Sequence, residues 1–224
     1  MSNHHTVVAD LKISNLAINK VLRNTYFLLG LSMLVSAGAA LIAMFTYAQP
    51  IGFLPMLLGF LGLPMLVQAT SRSAWGIATM FVFTAFTGYT LGPILNMMVG
   101  TFANGSEIIF AALGSTGLIF LALSSYVLTS RKDFSFMGGM LFIAVMVAFC
   151  ASIAGVLFNM PMLQLVVSAA FALISSGMIL YHTSLIIHGG ERNYIVATLS
   201  IYIALFNLFV SLLRIFAVLA GNRD

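Results

Sequence analysis

Charge is scarce in this sequence. Of its 224 residues only 6% are Asp, Glu, Lys or Arg, where a soluble domain carries about 25%. So little charge cannot cover a water-facing surface, and it also excludes a disordered chain or a basic nucleic-acid patch. Cysteine is almost missing: Cys150 stands alone. No internal disulfide can form, and an apolar neighbourhood makes Cys150 a packing residue rather than a reactive thiol. The acids are Asp10, Glu107, Asp133, Glu191 and Asp224. No aspartate lies inside a long apolar run, and Glu107 stands at the very edge of one, which excludes an intramembrane aspartyl dyad. Lys12, Lys20 and Lys132 also lie outside the runs, so no retinal Schiff base can form. There is no His-Glu-x-x-His metal motif and no Gly-x-x-x-x-Gly-Lys phosphate loop. No Ser and His spacing singles out a nucleophile and its base. No catalytic residue, metal or cofactor is therefore expected, and His4-His5 is read as part of a loose tail.

What is present is apolar sequence. Hydrophobic residues make up 61% of the chain, and its mean hydropathy is +1.10. A membrane-crossing helix needs about 20 such residues, since ~1.5 Å of rise per residue must span ~30 Å of hydrocarbon. Seven runs qualify: 26–47, 51–70, 75–98, 107–129, 135–158, 162–187 and 194–219. They are too long for barrel strands of about 9–11 residues. The expected fold is an all-α bundle of seven transmembrane helices. A tail over residues 1–25 precedes one membrane domain over 26–219, and residues 220–224 close the chain. Ala37-Gly38-Ala39 has the look of a signal cleavage site. Apolarity continues to Phe45, so a retained helix is expected.

Loop charge predicts the orientation. Lys12, Lys20 and Arg23 precede the first run; Arg72, Arg131, Lys132 and Arg192 fall in the second, fourth and sixth loops. The odd loops hold no Lys or Arg. By the positive-inside rule the N-terminus is cytoplasmic, and seven crossings put the C-terminus on the far side, which in a bacterial inner membrane is the periplasm. Arg214, inside the far end of helix 7, is close enough to snorkel outward.

Helices 6 and 7 carry spaced small and polar residues. In helix 7 they are Ala197, Ser200, Ala204, Asn207, Ser211 and Arg214, at steps of three and four that suggest one face. In helix 6 they are Ser168, Ala172, Ser175, Ile179 and His182. Close helix packing is one reading, favoured for the serines and alanines. A polar cavity between the helices is the other, and it stays open for Asn207 and His182 because buried polar groups in membranes usually face an interior or a pathway. His182, the histidine within an apolar run, is either a proton sensor or a neutral side chain held by one hydrogen bond. Pro55, Pro64 and Pro93 are expected to kink helices 2 and 3. Gly88-x-x-x-Gly92, and Ser32, Ser36 and Ala40, read as packing contacts. Gly189-Gly190 reads as the stop of helix 6. The tail, including Asp10, Lys12 and Lys20, is either a short amphipathic helix on the membrane surface or a handle for a partner, loosest over residues 1–10.

Several blocks resemble one family. Lys20-Val21-Leu22-Arg23-Asn24-Thr25-Tyr26-Phe27-Leu28-Leu29, Gly88-Tyr89-Thr90-Leu91-Gly92-Pro93-Ile94-Leu95-Asn96 and Ser125-Tyr126-Val127-Leu128-Thr129-Ser130-Arg131-Lys132-Asp133 are similar to the Bax inhibitor-1 family, in its bacterial inner-membrane branch. So is the stretch from Ile187-His188-Gly189-Gly190-Glu191 through Asn193-Tyr194-Ile195 to Asn207-Leu208-Phe209. The resemblance runs from about residue 18 to residue 219. It implies a bacterial inner-membrane bundle with helix 7 central. For this branch it implies interaction with FtsH, the membrane-anchored ATP- and zinc-dependent protease, and with its HflK/HflC partners. Such proteins are both substrates and modulators of that protease, with the N-terminal tail as the degradation handle.

The wider family implies a second function, a pH-sensitive calcium leak gated by two aspartates on helices 6 and 7. Here their places hold His182 and Ala204. A histidine facing an alanine can neither share a carboxylate proton nor bind a hard cation. A leak of calcium or protons would need a separate sensor built on His182, with Asn207, Ser200, Ala204 and Arg214 as candidate pore positions. A third reading is a structural protein whose polar stripes are packing alone.

Overall fold

The computed structural model describes residues 2–221, with side chains from residue 17 onward. The side chains of Asp10 and Lys12, and the terminal residues Arg223 and Asp224, lie outside that range. The described chain is all helical: α1 (Ser2–Phe45), α2 (Phe53–Thr70), α3 (Trp75–Thr101), α4 (Gly105–Ser130), α5 (Met137–Leu157), α6 (Pro161–Ile187) and α7 (Tyr194–Gly221). All seven are long and apolar enough to cross a membrane, the first over Ala17–Phe45. From α2 onward each boundary falls within three residues of the position expected from the apolar runs. α1 differs, since its helix continues back to Ser2. The first glycine is Gly30 and the first proline Pro50, so nothing in the early segment breaks a helix.

Local chemistry sets the ends. Pro161 opens α6, where its missing N–H is harmless. Gly189, with φ +74°, ends the same helix, and Gly190 N–H closes on the Leu185 carbonyl at 2.8 Å. That is the glycine stop the sequence suggested. Asn193 caps α7: its Oδ1 accepts the N–H groups of Ile195 (2.9 Å) and Val196 (3.4 Å). Pro64 and Pro93 lie inside α2 and α3. Pro55 falls in the first turn of α2, where the N–H has no intrahelical partner to lose.

α7 packs against α1, α2, α3, α4 and α6, and α5 packs on α6 alone. The difference is written in side chains. Ile195, Leu199, Ile201, Tyr202, Leu208 and Leu213 of α7 are wholly buried, whereas Phe142, Ile143 and Val147 of α5 are exposed. Apolar surface on that scale would be a liability in water and belongs in hydrocarbon. α1 and α3 meet most closely. A Cβ on Gly88 would strike the Ser36 carbonyl, and one on Gly92 would strike Ala43, so the Gly-x-x-x-Gly pair does bring two backbones together.

Candidate functional site

The polar residues of α7 separate. Ala197, Ala204 and Ser211 are buried, Ser200 is half-buried, and Asn207 and Arg214 are exposed. Steps alternating three and four average less than a helical turn. At ~100° per residue Ala204 and Ser211 stay within about 40° of Ala197, while Asn207 and Arg214 have drifted about 80–100° round. Asn207 uses its amide on its own helix, donating from Nδ2 to the Ile203 carbonyl at 3.0 Å. Ala204 sits in the apolar core with Ile179, Leu205 and Leu208. On α6 the drift is smaller: Ser168, Ser175 and Ile179 are buried, with Ala172 and His182 half-buried. The His182 ring lies edge-on to Tyr181 at 5.0 Å. Among the described residues, three His, Cys, Asp or Glu side chains do not gather anywhere to hold a metal.

The buried polar centre is a hydroxyl relay. Tyr202 Oη of α7 donates to Ser36 Oγ of α1 at 2.9 Å and bonds Thr87 Oγ1 of α3. Thr87 also reaches the Thr84 carbonyl at 3.0 Å. Tyr202 is 1% exposed, and Phe83 meets its ring edge-on at 5.7 Å. A buried tyrosine needs a partner for its hydroxyl, and here one phenol ties three helices together. The sequence reading did not single out Tyr202 or Thr87. The usable signal was a tyrosine deep inside an apolar helix.

The basic loops converge at one end of the bundle. Asn193 Nδ2 donates to the Ser71 carbonyl at 3.0 Å, joining the loops before α7 and α3. Thr198 Oγ1 reaches the Thr25 carbonyl of α1 at 3.3 Å. The α4–α5 loop is fastened to the end of α6 by Ser184 and His188. Ser184 Oγ accepts the Phe134 N–H at 2.9 Å and lies 3.4 Å from Asp133 Oδ1. His188 Nδ1 lies 2.9 Å from the Ser184 carbonyl, and Nε2 lies 3.2 Å from the Arg131 carbonyl. The Ser135 N–H, above all, holds the Asp133 carboxyl below its ordinary range, with the Ser135 hydroxyl, His188 and Ser184 adding to it. Ser184, His188 and Asp133 have the residue types of a hydrolytic triad. Ser184 is wholly buried, however, and its hydroxyl is taken up by the loop, so the cluster is a clasp. Lys20, the described member of the tail candidates, is exposed.

A cavity of ≈ 690 Å³ lies between α1, α3, α4 and α7. Its lining is apolar apart from a few hydroxyls, among them Ser36, Thr116 and Tyr202.

The family described as inhibitor of apoptosis-promoting Bax1 matches residues 18–222. The chain belongs to the Bax inhibitor-1 family. Its relatives include the protein named Modulator of FtsH protease YccA from Escherichia coli K12, 48% identical over 213 residues that cover 95% of each chain. The protein named Inner membrane protein YccA from Escherichia coli O6:H1 matches equally, at 48% over 95% of each chain. An uncharacterised Pseudomonas aeruginosa protein is 46% identical over 92% of each. Seven apolar helices and these relatives make this Bax inhibitor-1 member a multi-pass inner-membrane protein.

Proposed function

We propose that this chain is a modulator and a substrate of the membrane protease FtsH, working beside HflK and HflC. One observation carries the reading: 48% identity, along 95% of both chains, to a protein named for modulating that protease. Its cytoplasmic N-terminal tail, residues 1–25 with Asp10, Lys12 and Lys20, is the degradation handle. The membrane domain, with α7 at its centre, is the part that binds. The basic loops converge at one end, which supports reading that end as the cytoplasmic face and the tail as lying on the side where an ATP-driven protease pulls. A leak of the wider family's kind would need a carboxylate pair; those places hold His182 and Ala204, and Ala204 is fully buried.

The test is a detergent pull-down from native inner membranes, blotted for FtsH, HflK and HflC. It compares the full chain with a version lacking residues 1–17. Both versions should retain the protease, and only the full chain should be degraded. Retention by neither would end the modulator reading. Equal half-lives would remove the tail from its role as handle.

A further inference from the structure

The backbones of α1 and α4 both pack on α7 but stand apart from each other: among the described residues, no Cα of one lies within 8 Å of a Cα of the other. The rings of Tyr26 and Phe120, 5.8 Å apart, bridge them at the end that carries the basic loops. From there the ≈ 690 Å³ cavity runs along α1 from Tyr26 to Met44. At ~1.5 Å per residue that is about 27 Å, nearly the whole ~30 Å of bilayer hydrocarbon. Leu41, Phe110 and Leu113 on its rim are exposed, so it is a groove open to the membrane. We infer that this α1–α4 groove receives one transmembrane helix of the protease complex, an apolar helix that carries a hydrogen-bond acceptor near its middle. The inference rests on the modulator reading and names its contact surface.

Three observations favour a helix over lipid tails. The groove crosses both leaflets, whereas an acyl chain fills only its own. Its walls offer small residues with room above them: a Cβ on Gly30 or on Gly117 would meet nothing within 4 Å, and Ala37 also lines the cavity. Small residues on facing walls let a partner backbone approach closely. The third is a spare proton. Ser36 is 8% exposed and lines the cavity. Its Oγ accepts from Tyr202 and, among the described residues, donates to nothing. It lies near the middle of the groove, at a depth where a lipid tail has no acceptor. A Ser, Thr, Asn or Gln side chain on a partner helix has one.

The experiment places a photo-crosslinking phenylalanine analogue at Leu113, on the rim, or at Val147, on the exposed face of α5. The full chain is irradiated in native inner membranes and blotted for FtsH, HflK and HflC. A parallel pull-down uses Gly30→Leu with Gly117→Leu, whose added side chains enter open space and should not lower the melting temperature of the purified protein. The expected result is an adduct with a protease-complex subunit from position 113 and none from 147. Retention by the filled groove should fall about tenfold, equivalent to ~1.4 kcal/mol. Overturning results are an adduct with a second copy of the chain, lipid adducts alone, or undiminished retention by the folded double variant. In each of those cases a wild-type pull-down that still holds the protease leaves the modulator reading standing. If the wild type holds nothing, both fall together.

Discussion

On the α3 side of α1, Gly88 and Gly92 draw the backbones together until a Cβ at Gly88 would collide with the Ser36 carbonyl. On the α4 side, Gly30 and Gly117 face space that nothing within 4 Å fills. The same residue type thus closes one seam and leaves the other open. Ser36 belongs to both: its backbone lies under Gly88, and its side chain lines the groove. A glycine in a membrane helix therefore marks where a backbone can approach, without saying whether the approaching helix belongs to the same chain.

The comparison breaks most sharply at Gly88. Gly88→Leu should leave little folded protein, and Gly88→Ala should destabilise by about 1–3 kcal/mol or more through overpacking. A thermal melt in detergent would read this as a large drop; an unchanged melt would mean that the seam can open without loss. Removing the relay behind that seam is the next largest change. Tyr202→Phe should lower stability by about 1 kcal/mol, and a melt equal to wild type would show that the phenol contributes no net energy. Gly30→Ala should have the opposite sign, a gain of up to ~1 kcal/mol from reduced backbone freedom in a helix. A loss there would mean that the groove is already filled in the folded protein.

The smallest effect lies away from both seams, in the α4–α5 loop. Hydrogen bonds hold the Asp133 carboxyl below its ordinary range. Its contribution is therefore complete above the ordinary carboxylate pKa and is lost as pH falls through the lowered value. Amide exchange across residues 131–136 should quicken in that acid window. Asp133→Asn should flatten the dependence, while neither face of α1 responds. A loop whose exchange ignores acid would remove the carboxylate from the clasp.

Much of the fold was legible because membrane helices are specified by run length. Hydrocarbon thickness dictates about 20 apolar residues, and the seven runs supply them with short breaks at Gly, Pro and charged residues. The start of α1 was less legible, since a polar segment without Gly or Pro has no mark where its helix should begin. The α7 stripe was misread as one face. Alternating steps of three and four drift round the helix, so Asn207 and Arg214 emerge on the exposed side while Ala197 and Ala204 stay buried.

The sequence alone determined the class of solvent this protein occupies, the number of its crossings and its family, because hydropathy and order along the chain are one-dimensional properties. It did not determine which small residues meet a neighbour and which face a gap, nor that Ser36, Thr87 and Tyr202 share a hydroxyl relay. Those depend on how far α1 stands from α3 and from α4. Side-chain volumes across three helices set that spacing jointly, and no single stretch of sequence contains it.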